Sequence, residues 1–200
     1  MASLKSHSGN VTGFANFGPS VGGERLRLLA EIAPEIRRAM IVFEADSALG
    51  PELLRSTVET ASTLKLAAIG EGVRDFNKLE SDVASFARQP NGGLVVVQGP
   101  FTTRYRIQIV GLSERHRLPA VYPLALFVEI GGLVSHGVNV AAMWESAAEY
   151  ISRILRGARP GDLVVQEPQE PEIVLNLSTA KKLGLGIGPS LRGRATRIVD

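Results

Sequence analysis

Ser135 and His136 are adjacent, and a serine beside a histidine is the simplest pairing from which nucleophilic chemistry could be built. Neighbouring residues on a strand point to opposite faces, so this pair cannot readily share the hydrogen bond that activation needs. No acidic third member lies within sequence reach. His7, His116 and His136 stand apart, without the spacing of metal ligands. There is no cysteine, which excludes a thiol nucleophile, a disulfide scaffold and a cysteine-ligated metal. Gly184-Leu-Gly-Ile-Gly188 has the glycine spacing of a phosphate loop, but it follows a helix and no Lys-Ser/Thr pair closes it. An enzyme, a metal and a cofactor are therefore not expected. What remains is binding chemistry. Asp46 and Ser47 could hold the ammonium or hydroxyl of a small ligand, or could form a capping loop before Pro51. Phe101 and Tyr122 could stack on an aromatic or apolar ligand, or line the edge of the core.

The elements that must position these residues are legible from periodicity. Residues 39–43, 66–69, 94–97 and 119–122 are short apolar runs that read as buried strands. Residues 24–38 carry Leu26, Leu29, Ile32, Ala33 and Ile36 at helical spacing, with Pro34 ending or kinking the helix near Ala33. Pro51 suits the first position of a second helix that runs to about Lys65. Phe76, Leu79, Val83 and Phe86 mark a third, with Asp75 as its cap. Residues 103–117 form a fourth.

Three strand–helix units in succession predict an α/β fold: a three-layer, doubly wound parallel sheet with right-handed connections. Ligands of such sheets sit outside the carboxyl ends of the strands. Here those ends are the loops at 44–47, 98–102 and 122–126.

Residues 118–137 read as a strand, one helical turn and a second strand, where the chain leaves one sheet for another. Ligand clefts are commonly built where a chain crosses in this way, and the first strand of the segment ends at Tyr122 on the three-loop rim. A helix over 138–156 follows, and Gly157 and Pro160 stop it. Short strands are expected at 163–165, at a sheet edge because of the flanking proline, and at 172–177. Ser178 is expected to cap a helix over 179–183, with a polar tail beyond.

The chain has 200 residues, 44% of them apolar and 21% charged, with net charge +2, pI near 9.1 and mean hydropathy +0.11. That is enough for one large domain or two small ones. The bases are scattered: Arg25, Arg27, Arg37 and Arg38 alternate with Glu24, Glu31 and Glu35. A solvated face explains this better than a nucleic-acid footprint, which must be continuous. No apolar run reaches transmembrane length, and the first residues lack the apolar core of an export signal.

Five phrases, taken in order, resemble a known family. They are Gly9-Asn-Val-Thr-Gly13, Arg25-Leu-Arg-Leu-Leu-Ala-Glu-Ile-Ala-Pro34, His116-Arg-Leu-Pro-Ala-Val-Tyr122, Phe127-Val-Glu-Ile-Gly-Gly-Leu-Val-Ser135 and Asn176-Leu-Ser-Thr-Ala-Lys-Lys-Leu-Gly-Leu185. Together they resemble the ABC transporter substrate-binding proteins related to tryptophan- and tyrosine-binding members, which have the two-lobed type I periplasmic binding fold.

The resemblance implies a solute receptor that closes on an amino acid or similar molecule in an interlobe cleft. Its partner would be a transporter permease and its location periplasmic or extracytoplasmic. It places ligand contacts at Ala45, Asp46 and Ser47, at Gln98 and Phe101, at Tyr122 and at Gly131. The family often has a tyrosine where His136 stands.

The resemblance also implies an N-terminally short chain: 1–38 a remnant of the first lobe, 39–130 the second lobe, 131–165 a return to the first, and 166–200 a return to the second and a tail. With half of the enclosing surface missing, weak binding is expected, and unpaired strand edges leave self-association open. The alternative is the ligand-sensing effector domain of a regulatory protein, which shares the fold.

Overall fold

The structure, a computed structural model, describes residues 9–16, 18, 20–47, 50–166 and 170–200. The chain divides into two units, a larger one of Gly18–Gly137 with Glu172–Asp200 and a smaller one of Met1–Phe17 with Val138–Pro171.

The larger unit is built on one seven-stranded sheet. Its strands are β1 (Arg38–Glu44), β2 (Ala67–Val73), β3 (Gly92–Val96), β4 (Ala120–Tyr122), β5 (Val134–Gly137), β6 (Glu172–Asn176) and β7 (Arg197–Val199). They lie in the order β2-β1-β3-β4-β5-β6-β7, and all neighbours are parallel except β5 with β6. β3, Gly-Gly-Leu-Val-Val, is buried at every position. A continuously apolar strand is what a parallel sheet covered on both faces requires.

The covering helices are α1 (Val21–Ile32), α2 (Gly50–Leu64), α3 (Phe76–Ala87), α4 (Pro100–Arg104) and α5 (Arg106–Arg115). Successive glycines of β3 show that they take different sides. A Cβ on Gly92 would meet the Phe86 ring of α3, and one on Gly93 would meet Leu29 of α1. Adjacent strand residues face oppositely, so α1 and α3 flank opposite faces.

α1 also packs against α2. A Cβ on Gly22 would stand 2.7 Å from the Leu53 carbonyl oxygen, and one on Gly23 would stand 2.2 Å from Thr60 Oγ1. The two helices approach this closely because α1 begins with glycines. Asp75 caps α3 as expected, accepting from the Lys78 N–H at 2.9 Å.

Several boundaries differ from the sequence expectation. α1 begins at Val21 rather than near residue 24 and ends at Ile32, before Pro34. The helix expected over 103–117 is two, α4 and α5, meeting at Tyr105. The single turn in 118–137 is α6 (Ala125–Val128). After β6 comes α8 (Leu177–Leu183), capped by Asn176 and not Ser178: Asn176 Oδ1 accepts from the Thr179 N–H at 2.8 Å. The expected polar tail instead forms α9 (Pro189–Arg194) and β7, which pairs with β6.

The unit boundaries differ as well. α1 packs on β3 and β4, and β5 is hydrogen-bonded between β4 and β6. Residues 18–38 and 131–137 therefore belong to the larger unit, and the crossings fall at 17/18, 137/138 and 171/172. The segment 118–137 does not leave the sheet: both of its strands lie side by side in it.

The smaller unit holds α7 (Val140–Leu155), capped by Asn139, whose side chain accepts from the Ala142 N–H at 3.0 Å. Tyr150 OH donates to the Val164 carbonyl at 2.7 Å, and the Phe14 ring lies 5.1 Å from the Tyr150 ring. The strand expected at 163–165 is absent. Residues Pro160–Asp162 make a 3₁₀ turn, and the pairing reduces to one bridge between Phe14 and Gln166. Of the strand-like stretch 9–14, only Phe14 is paired in this way. Pro168 lies outside the described residues.

The junction of β5 with the loop after β4 is tight. A Cβ on Gly137 would fall 1.8 Å from the Pro123 carbonyl oxygen, a backbone atom with nowhere to go. Gly137→Ala is expected to destabilise the larger unit by about 2–3 kcal/mol, read as a lower denaturation midpoint.

Candidate functional site

The carboxyl ends of β1, β2 and β3 bring three segments to one rim. After β1 come Ala45, Asp46 and Ser47. The Ala45 N–H donates to the Val73 carbonyl at 3.1 Å, which ties this loop to the end of β2. Asp46 is exposed and takes a two-pronged grip from Arg74, with Nη2 to Oδ1 at 2.6 Å and Nε to Oδ2 at 2.9 Å. Arg74 hydrogen bonding first, and its positive charge, hold the Asp46 carboxyl below its ordinary range. Ser47 Oγ accepts from the Gly50 N–H at 3.3 Å, near the start of α2.

After β3, Gln98 and Gly99 lead into α4. Gln98 is half-buried. The Phe101 N–H donates to Glu44 Oε1 at 3.3 Å. A Cβ on Gly99 would lie 3.1 Å from Glu44 Oε2, so the absence of a side chain there makes room for the carboxylate.

Beside this carboxylate stands a group of three half-buried rings. Phe101 and Tyr105 lie 4.7 Å apart and tilted, and Tyr105 stacks on Phe76 at 5.3 Å with the planes 19° apart. Phe76 opens α3 just beyond β2, so three elements contribute to one aromatic surface. Next to it are a carboxylate and a carboxylate–guanidinium pair.

Ala45, Asp46, Ser47, Gln98 and Phe101 are therefore assembled on the rim, and Tyr122 and Gly131 are not. The Tyr122 ring is 0% exposed, stacks on Phe127 at 5.2 Å, and its hydroxyl meets Ser113 Oγ at 2.6 Å. Burial first pushes its hydroxyl pKa well above the ordinary value. Its side chain points into the core, because this position of β4 faces α5. Gly131 precedes β5 and so lies at the opposite end of the sheet. Its φ of +107° suits glycine, and its carbonyl accepts from Thr179 Oγ1 at 2.9 Å. It lines a separate cavity of about 280 Å³ with Arg117 and Lys182.

Glu44, Arg74, Phe76 and Tyr105 are rim residues that the sequence reading did not single out. Glu44 carried a usable signal: it is the carboxylate that directly ends an apolar strand.

A second polar cluster sits where α1 begins, against the ends of β4 and β5. Arg25 is buried and its Nε donates to the His136 carbonyl at 2.9 Å. Burial brings its pKa down to about 10. His136 Nε2 lies 3.7 Å from Glu24 Oε2. Burial, and then the Arg25 charge, push the imidazole down to about 4, so it is neutral at pH 7. Among the described residues no group of three His, Asp or Glu side chains is placed to hold a metal ion, and no helix is long and apolar enough to cross a membrane.

A doubly wound α/β unit of this topology has a periplasmic-binding-protein-like fold. The sequence matches the ABC transporter substrate binding protein family over residues 1–199, and the chain belongs to that family. Its members are substrate-binding proteins rather than enzymes, and are typically extracytoplasmic.

The chain is 20% identical over 189 residues to the tyrosine-binding protein of Clostridioides difficile (strain R20291), covering 92% of this chain and 52% of that protein. It is similar in fold to an ABC domain solved in complex with L-Trp from Streptococcus pneumonia, with a TM-score of 0.86 and 20% identity over 98% of this chain and 66% of that one. It is also similar to a ligand-free, open substrate-binding protein with adhesive properties from Clostridium difficile, with a TM-score of 0.71 and 18% identity over 99% and 65%. The chain thus spans about half the length of the curated relative and about two thirds of these solved chains.

Two outcomes are expected. Tyr122→Phe removes the hydrogen bond to Ser113 and should cost about 1 kcal/mol of stability while leaving ligand affinity unchanged in titration calorimetry. His136 has a folded pKa below its unfolded value, so the unfolded chain binds more protons between about pH 4 and 6.5. Stability should therefore be full above pH 6.5 and fall as the pH drops towards 4. His136→Gln should flatten that part of the profile in denaturant titrations.

Proposed function

We propose that this chain is the solute-binding component of an ABC-type import system, acting outside the cytoplasm with a transporter permease as partner. Its ligand is an amino acid with an aromatic side chain. The observation that carries this reading is the joining of Phe76, Phe101 and Tyr105 into one half-exposed aromatic surface beside the Glu44 carboxylate and the Asp46–Arg74 pair.

An amino acid offers an ammonium, a carboxylate and a side chain, and the rim has a complement for each. Glu44 and Asp46 suit the ammonium, Arg74 suits the carboxylate by its paired N–H donors, and the rings suit an aromatic side chain by offset or edge-to-face contact. Two relatives point the same way, one a tyrosine-binding protein and the other solved in complex with L-Trp. Gln98, half-buried beside Gly99, supplies a further amide for the same ligand in this reading.

Thermal-shift and calorimetric titration against the full set of amino acids tests this. Tyrosine, tryptophan or phenylalanine should raise the apparent stability by mass action, and aliphatic or acidic amino acids should not. Phe101→Ala should weaken binding about tenfold, and Glu44→Gln should weaken it while the Tyr122→Phe control does not. A preference for a sugar or a dicarboxylate, or affinity indifferent to both rim substitutions, overturns the assignment.

A further inference from the structure

The cavity at the amino ends of β4 and β5 is built from the larger unit alone. α5 and α8 form its sides, and the segments that lead into β4 and β5 form the rest of its wall. The chain crosses to the smaller unit at the other end of the same sheet, where Gly137 of β5 pairs with Glu172 of β6. A volume of about 280 Å³ has room for one ring or a short carbon chain.

The lining divides by polarity. Leu118 and Leu133 are buried and Leu183 is half-buried, and these three leucines supply the apolar part. At the mouth stand three exposed charged residues, Glu114, Arg117 and Lys182. Lys182 Nζ donates to Glu114 Oε1 at 3.3 Å, so those two charges offset each other and tie α8 to α5. Arg117 is different. Its Nη2 donates to the Lys182 carbonyl at 3.1 Å, which engages one of five N–H groups and leaves the charge without a carboxylate among the described residues. The hydroxyls of Ser113 and Thr179 are already committed, to the carbonyls of Val110 and Gly131.

The lining therefore carries one net positive charge beside an apolar surface. A fork of guanidinium N–H donors matches a carboxylate. A cationic ligand would be repelled there, and a large polar one would have to lose its water against three leucines.

We infer that this cavity is a second binding site, separate from the rim, that takes a small monocarboxylate with a compact apolar body. The carboxylate sits on Arg117 and the carbon skeleton lies against Leu118, Leu133 and Leu183.

The test titrates benzoate into the full chain, beside benzyl alcohol and benzylamine as neutral and cationic counterparts, and follows the leucine methyl resonances by NMR. Benzoate should bind saturably and shift the methyls of Leu118, Leu133 and Leu183. The alcohol and the amine should bind at least about tenfold more weakly. Arg117 has a φ of 52°, a conformation that glycine adopts without strain. Arg117→Gly should therefore fold, with unchanged circular dichroism, and weaken benzoate at least about tenfold. Leu183→Trp should fill the space and abolish binding, and Phe101→Ala, on the rim, should leave it unchanged. The inference is overturned by a lack of saturable binding, by benzyl alcohol binding as tightly as benzoate, or by affinity indifferent to Arg117→Gly. Binding that Phe101→Ala removes and Leu183→Trp spares also overturns it, because benzoate would then occupy the rings of the rim.

Discussion

The ladder between β1 and β3 fixes what the rim can present. Its register pairs Met40 with Leu94 and Val42 with Val96, and the Val97 N–H extends it by donating to the Val42 carbonyl at 2.8 Å. Both chains then leave the sheet at the same level, which is why Glu44 can accept from the Phe101 N–H across the gap. The rest of the larger unit supports this pair of strands. α1 and α3 close on opposite faces of β3 because Gly92 and Gly93 leave room for Phe86 and Leu29, and β2 adds Arg74 and Phe76 from the far side. A slip of one residue would exchange the two faces of β3, set the glycines against the wrong helices and carry the carboxylate away from the aromatic group.

Two polar clusters sit at strand ends of the sheet, one at β1 and β2 and the other at β5, and they differ in physical character. Asp46 and Arg74 are both exposed, so their attraction is screened and contributes little to stability. Separating them costs correspondingly little. Arg25 and His136 are buried, and there the burden is desolvation. The cation is held by a carbonyl and by the nearby Glu24, and the imidazole stays neutral. The first cluster is suited to recognition, the second to holding α1 against the end of β5.

The α/β architecture, the helices of the larger unit and the three strand-end loops were legible in the sequence because each depends on local periodicity and on one topological rule about parallel sheets. Tyr122 was not. Its strand has three residues, too few for alternation to show which side faces helices, and its partner Ser113 lies on a different element. Gly131 was assigned by resemblance to a ligand contact, but which end of β5 it occupies depends on where that strand begins. The extents of the two units were missed for a related reason. An amphipathic α1 shows that it packs on something, while only the pairing of β5 with both β4 and β6 shows which sheet is continuous. β7 is short and largely exposed, so it lacks the apolar signature of a buried strand.

The single antiparallel joint in the sheet sets the topology of the whole chain. β5 and β6 are neighbours with Gly137 paired to Glu172, so the chain departs for the smaller unit and returns from it at one point, as a hairpin does around its turn. The intervening segment is in effect an oversized loop with its ends already held together, and the entropy of closing such a loop grows only slowly with its length. The ladder between β5 and β6 is therefore only weakly sensitive to the length of the segment it closes. Lineages could enlarge, trim or replace the excursion while leaving the host sheet and its rim intact.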